Sequence, residues 1–88
     1  MAVTVLVREP MRSRIGASQI DLDLPPDGTL GSLIDAFAAR YPAAGAAEAL
    51  RGQNEFFIGD SYVPRSQIAT APLRDGDTVL IAIDVSGG

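Results

Sequence analysis

The sequence predicts an α+β domain in which one mixed sheet of four to five strands is packed on one main helix. Three observations carry this prediction. Only residues 30–41 show the 3.6-residue apolar period of an amphipathic helix. The stretches around it are apolar or alternating over lengths suited to strands. The two most apolar of these stand at opposite ends of the chain, as expected if they lie side by side in parallel. A chain of 88 residues has room for one core and one domain, here residues 1–84, followed by a short tail over 85–88.

Val3, Thr4, Val5, Leu6 and Val7 form the first strand, rich in β-branched side chains. Its alternation sets Val3, Val5 and Val7 on one face and Thr4 and Leu6 on the other. Residues 9–16 contain Pro10 and Gly16 and are expected to be the connecting loop of a hairpin. Arg8, Arg12 and Arg14 are spaced around it; such a cluster is more often solvated surface than an anion site. In Gln19–Leu24 polar and apolar residues alternate, so Ile20, Leu22 and Leu24 face a core and Asp21 and Asp23 face water, as in a protected edge strand.

Pro25, Pro26, Asp27 and Gly28 break that strand, and Thr29 is placed to cap a helix. Leu30, Leu33, Ile34, Phe37, Ala38 and Tyr41 form its apolar stripe, which suits core packing better than a cofactor site. Pro42 disfavours helical geometry at Tyr41 and ends it. The alanine-rich residues 43–52 allow a short second helix closing on Gly52, with Gly45 opposing it. Glu55–Ile58 is the next strand, Gly59-Asp60 a tight turn, and Ser61–Val63 a short returning strand stopped by Pro64. Residues 67–72 are read as a loop leading to Leu73, a core plug.

Asp75-Gly76-Asp77 is a turn signature, in which glycine accepts positive φ and the aspartates can bond nearby amides. Val79–Ile83 then runs unbroken and apolar, as expected of a central strand covered on both faces. If Val79, Ile81 and Ile83 share the core with Val3, Val5 and Val7, then Leu6, Leu80 and Ala82 lie opposite, with Phe56 and Phe57 as the aromatic candidates for that face. No second helix is evident to cover it, which marks it as a docking surface. Val85, Ser86, Gly87 and Gly88 follow; four residues reach roughly 13 Å when extended. A narrow Gly-Gly end at fixed spacing from an anchored strand suits entry into another protein's site. The α-carboxylate is ionised at neutral pH and a poor acyl donor, so it requires activation before attack by a nucleophile.

Composition narrows the function classes. Without cysteine or histidine, zinc fingers, iron–sulfur ligation, thiol catalysis and a histidine base are excluded within this chain. The Asp, Glu, Ser, Thr, Tyr and Arg residues show no spacing that suggests a triad or a metal set. A net charge of −4 argues against nucleic acid and for basic protein partners. Residues 1–5 lack the basic and long apolar regions of a signal peptide and no stretch reaches membrane-spanning length, so a cytoplasmic protein is expected. All seven basic residues are arginine. That suits an activated C-terminus, since guanidinium does not attack acyl-adenylates; a codon preference accounts for it more simply.

Residues 73–77, the strand after them and the Val85–Gly88 end resemble the MoaD/ThiS family of ubiquitin-like β-grasp sulfur carriers. The element order of the whole chain is similar, including the helix opening at Thr29-Leu30. The resemblance implies a ubiquitin-like β-grasp fold and a carrier that is not itself a catalyst, at most a non-catalytic subunit of a synthase. It implies that Gly88 is adenylated by a ubiquitin-activating-type adenylyltransferase, which uses ATP, and is converted to a thiocarboxylate for a sulfur-accepting synthase subunit. Gly87 would give clearance in both partners, with Ser86 and Val85 lining the tail. No permanently bound cofactor, nucleic acid or membrane is implied. The length contributed by residues 43–52 favours the molybdopterin-like branch over thiazole or cysteine synthesis, although Ala82-Ile83-Asp84 stands where molybdopterin-type members often carry prolines or aromatics. The alternatives are a ubiquitin-like modifier joined through Gly88 to target lysines, and a binding module with an incidental tail.

Overall fold

A computed structural model describes residues 1–83. Five strands, β1 (Ala2–Val7), β2 (Gln19–Asp23), β3 (Asn54–Ile58), β4 (Ser61–Tyr62) and β5 (Thr78–Ile83), form one mixed sheet in the order β2-β1-β5-β3-β4. The first and last strands pair in parallel, Val5 opposite Val79 and Val7 opposite Ile81. β2 and β3 run antiparallel to their inner neighbours, with Val3 opposite Leu22 and Phe56 opposite Ile81. Each of these pairs places two core residues on one face, so the register is fixed by burial: a slip of one residue would turn both sets to water.

The main helix, α2 (Leu30–Arg40), follows from its cap and its stripe. The backbone N–H of Ser32 donates to Thr29 Oγ1 at 3.2 Å, and the N–H of Thr29 donates to Ser32 Oγ at 2.8 Å. This reciprocal pair satisfies donors that the first turn leaves free, with serine in the place usually taken by a longer acid or amide. Leu30, Leu33, Ile34 and Phe37 are completely buried against the sheet residues Val3, Val5, Phe56 and Val79. Burial of side chains of this size contributes about 1.5–3 kcal/mol each. Tyr41 is the C-cap ahead of Pro42, and its ring packs on Phe37 at 5.4 Å.

Several connections differ from expectation. Residues 9–16 are not an open loop but contain a short helix, α1 (Met11–Ile15), closed by Gly16 at φ 78°. Met11 is buried and Ile15 packs against the core, an i,i+4 apolar pair that a reading centred on proline, glycine and arginine overlooks. The alanine-rich segment divides at Gly45 into a 3₁₀ turn, Pro42–Ala44, and a helix, α3 (Ala47–Gln53), which runs past Gly52 and buries Leu50. A second 3₁₀ turn, Arg65–Gln67, leads into residues 67–72, the segment expected to be a loop, and Val63 lies beyond β4 as a buried residue. Gly31 is the point of closest approach to this segment: a Cβ there would stand 2.6 Å from the Ala69 carbonyl oxygen.

The turn before β5 has the expected chemistry with a longer reach. Gly76 adopts φ 86°, and Asp77 Oδ2 accepts from the Arg74 N–H at 2.8 Å. Asp75 instead accepts from the N–H of Ala2 at 2.7 Å, while the Gly76 N–H donates to the Ala2 carbonyl at 2.8 Å. The turn therefore ties β5 to the start of β1. Leu73 is buried in the core as expected. Among the described residues no helix is long and apolar enough to cross a membrane.

Candidate functional site

Alternation along β5 divides the strand between two jobs. Val79 and Ile81 are buried beneath α2, whereas Leu80 and Ala82 point to the opposite face and are only half-buried. The expectation that both faces of this strand are covered therefore fails: the buried residues of α1, α2 and α3 all belong to the single core on the Val79 side. On the open face, register aligns Leu80 with Leu6 on β1 and with Phe57 on β3, and Phe57 with Tyr62 on β4. These four side chains form one apolar row spanning about 14 Å, at ~4.8 Å per strand.

Phe56 does not belong to this face. It is completely buried opposite Ile81, because adjacent residues of a strand point to opposite sides and only one of the two phenylalanines can face outward. Tyr62 takes the place that Phe56 was expected to share. It is 49% exposed, and its ring meets that of Phe57 edge-on with centroids 5.5 Å apart. The signal for Tyr62 was present in the two-residue Gly59-Asp60 turn, which pairs Ile58 with Ser61 and so sets Phe57 and Tyr62 on one face.

Polar groups border the row. Ala82 lies opposite Glu55 on one side. On the other, the Thr4 hydroxyl donates to Asp21 Oδ1 at 3.1 Å. Asp21 and Asp23 thus serve the edge strand; Asp23 also accepts from the Met1 amino group at 3.3 Å. Among the described residues no group of three or more acidic side chains is placed to hold a metal ion.

The parallel pairing of β1 and β5 brings the chain after Val7 beside the end of β5, so α1 stands next to Ile83, the last described residue. Between α1, the Pro42–Ala44 turn and α3 lies a cavity of about 330 Å³ whose lining includes Met11, Leu50 and Ile83, with Arg14 and Gln53 on its exposed side. The junction of α3 and β3 is held by the Asn54 carboxamide, which donates to the Leu50 carbonyl at 3.1 Å, and by Arg65, which donates to the carbonyls of Arg51 and Asn54. Arg51 in turn pairs with Asp35 at 2.7 Å, while its Nε is buried without a hydrogen-bond partner among the described residues. The arginines around α1 are not one site: Arg12 pairs with Glu9 at 3.1 Å. The carboxyl of Glu9 is held below its usual value, chiefly by the hydrogen bond from Ser13 and then by Arg12. Asp84 and the expected tail residues Val85, Ser86, Gly87 and Gly88, with the domain boundary at 84/85, lie outside the described residues.

A model of the ThiS family matches residues 5–88. The chain belongs to the ThiS family. Solved structures agree on its fold. SAMP1 from Haloferax volcanii superposes with a TM-score of 0.81 at 18% identity, covering 100% of both chains. The small archaeal modifier protein 1 from Methanosarcina acetivorans gives 0.76 at 18% identity, covering 99% of this chain and 96% of that one. A chain from the complex of subunits 1 and 2 of the molybdopterin-converting factor of Helicobacter pylori gives 0.65 at 24% identity, covering 100% of both. No curated protein matches this chain in sequence. This ThiS-family chain therefore has the ubiquitin-like β-grasp fold, and the open face described above is the outer face of its sheet. Members of such families are small carrier proteins or subunits.

Proposed function

We propose that this chain is a sulfur carrier whose Gly88 carboxylate is adenylated by an activating enzyme at the expense of ATP, converted to a thiocarboxylate, and presented to a sulfur-accepting synthase subunit in the cytoplasm. The observation that carries this reading is the apolar row of Leu6, Leu80, Phe57 and Tyr62 on the open face of a ThiS-family sheet, with Leu80 on the strand that leads to the diglycine end. Leu6, Phe57, Leu80 and Ala82, joined by Tyr62, form the docking face; Val85, Ser86 and Gly87 form the tail that a partner's channel receives. Docking makes delivery of the sulfur close to an intramolecular step, and a covalent thiocarboxylate keeps reactive sulfur from diffusing away. Fixing the tail costs on the order of 1–2 kcal/mol per residue in backbone entropy, which burial of the apolar row offsets. The Helicobacter pylori relative, solved with its second subunit, favours the molybdopterin-like branch and a synthase partner.

Intact mass after incubation with a cognate activating enzyme, ATP and a sulfur donor should rise by one oxygen-to-sulfur exchange located at Gly88. An unchanged mass with an enzyme proven active on its own carrier would defeat the proposal. The likeness to two small archaeal modifier proteins favours one second reading, conjugation of Gly88 to lysines of target proteins. Covalent adducts of higher mass in a lysate, lost when Gly87 and Gly88 are removed, would support it over the carrier.

A further inference from the structure

The cavity at the end of β5 has no part in the reading above. Its aliphatic lining includes Met11, Ala44 and Leu50, together with Ile83, the last described residue of β5, which is 47% exposed. Its exposed side carries the guanidinium of Arg14 and the carboxamide of Gln53. Among the described residues the Arg14 guanidinium has no hydrogen-bond or ion-pair partner, whereas that of Arg12 is taken by Glu9 and that of Arg51 by Asp35. An isoleucine left half in water within a concave site of mixed aliphatic and polar lining, beside a guanidinium without an ion-pair partner among the described residues, describes a site suited to an occupant that is both aliphatic and anionic.

We propose that this cavity is a docking socket for a segment of a partner protein that presents an aliphatic side chain next to a carboxylate. The aliphatic group packs on Met11, Leu50 and Ile83. The carboxylate pairs with Arg14, whose guanidinium offers two parallel N–H donors to it, and the Gln53 amide supplies a further donor. A volume of about 330 Å³ accepts one side chain of leucine size with its flanking backbone, but not a helix. The positive charge at the mouth selects against a basic segment. Choosing a protein segment over a free metabolite rests on the carrier reading, since whatever receives the tail must meet the domain where β5 ends. The socket lies on the helix side of the sheet and the Leu6–Leu80–Phe57–Tyr62 row on the other, so a partner that engages both holds the end of β5 from two sides.

The test is an NMR titration of the full chain with two blocked dipeptides, acetyl-Leu-Asp-amide and acetyl-Leu-Lys-amide. The acidic peptide should shift the amides of Ala44, Gly45, Ala49 and Gln53 and the δ-methyl of Ile83 saturably, with the basic peptide binding about tenfold or more weakly. Arg14→Gln should weaken the acidic peptide about tenfold, a loss expected of a charge-assisted pair. Ala49→Trp, at an exposed helical position on the lining, should abolish its binding without unfolding the chain. The proposal is overturned by an absence of shifts at the cavity, by equal response to both peptides, by shifts gathered on Leu6, Phe57 and Tyr62, or by binding that appears only after residues 85–88 are removed. No activating enzyme or ATP is required, so a negative titration leaves the mass test of the carrier standing, and a negative mass test leaves the socket standing.

Discussion

Replacing each of the two adjacent phenylalanines by alanine separates the core from the open face proposed for docking. Phe56 is completely buried opposite Ile81, so Phe56→Ala removes a ring from a packed interior and costs about 3–5 kcal/mol. Phe57 is half-buried, and its alanine variant forfeits the edge contact with Tyr62, worth about 0.5–1.5 kcal/mol, and part of its burial. For a domain of this size 1 kcal/mol shifts Tm by about 4–8 °C. Phe56→Ala should therefore lower Tm by at least about 12 °C, and Phe57→Ala by roughly a third as much. Loading with an activating enzyme should show the reverse order: at a temperature where circular dichroism reports both variants folded, Phe57→Ala loses about tenfold or more in kcat/KM and Phe56→Ala stays near the parent. Equal destabilisation by the two substitutions, or a loading defect in Phe56→Ala alone, would refute the assignment of faces.

Two further outcomes concern the frame. Gly31→Ala gains about 1 kcal/mol of helix propensity, yet its Cβ meets the Ala69 backbone at 2.6 Å. The clash prevails, giving a net loss of about 1–2 kcal/mol in chemical denaturation; a rise in midpoint would show that the 67–71 segment yields freely. Glu9 has a folded-state carboxyl held below the value it has in the unfolded chain, chiefly by the Ser13 hydroxyl. Its contribution to stability is thus present above that value and is lost as pH falls through the depressed folded value. Ser13→Ala removes the largest cause and should move the Glu9 midpoint upward in a carbon-detected NMR titration; an unmoved midpoint would exclude the Ser13 hydroxyl as the cause.

The strands and the main helix were legible because each carries a period that burial enforces. Val3, Val5 and Val7, Ile20 and Leu22, and the stripe from Leu30 to Phe37 all face the core as their spacing requires. Parallel pairing of the chain ends followed from their apolar character, and Thr29 from the chemistry of the cap. Short helices were harder, since five residues of α1 hold only Met11 and Ile15 as apolar anchors and their neighbours match a solvated loop. The outer face was half legible. Leu6, Leu80, Ala82 and Phe57 are where alternation puts them, but two consecutive phenylalanines leave the parity of β3 open until register is known, and Tyr62 enters only through the hairpin turn. The cavity was not legible, because Met11, Leu50 and Ile83 come from three separate elements that nothing in their spacing brings together.

The central position of β5 also has a mechanical side. A pull applied beyond Ile83 runs along the axis of a strand hydrogen-bonded on both flanks, to β1 over residues 4–7 and to β3 over residues 54–58. Such a load strains both ladders in shear together instead of unzipping them bond by bond, and the Asp75–Gly76 turn anchors the far end of the strand to Ala2. An enzyme that tugs on this terminus is therefore resisted by the whole sheet.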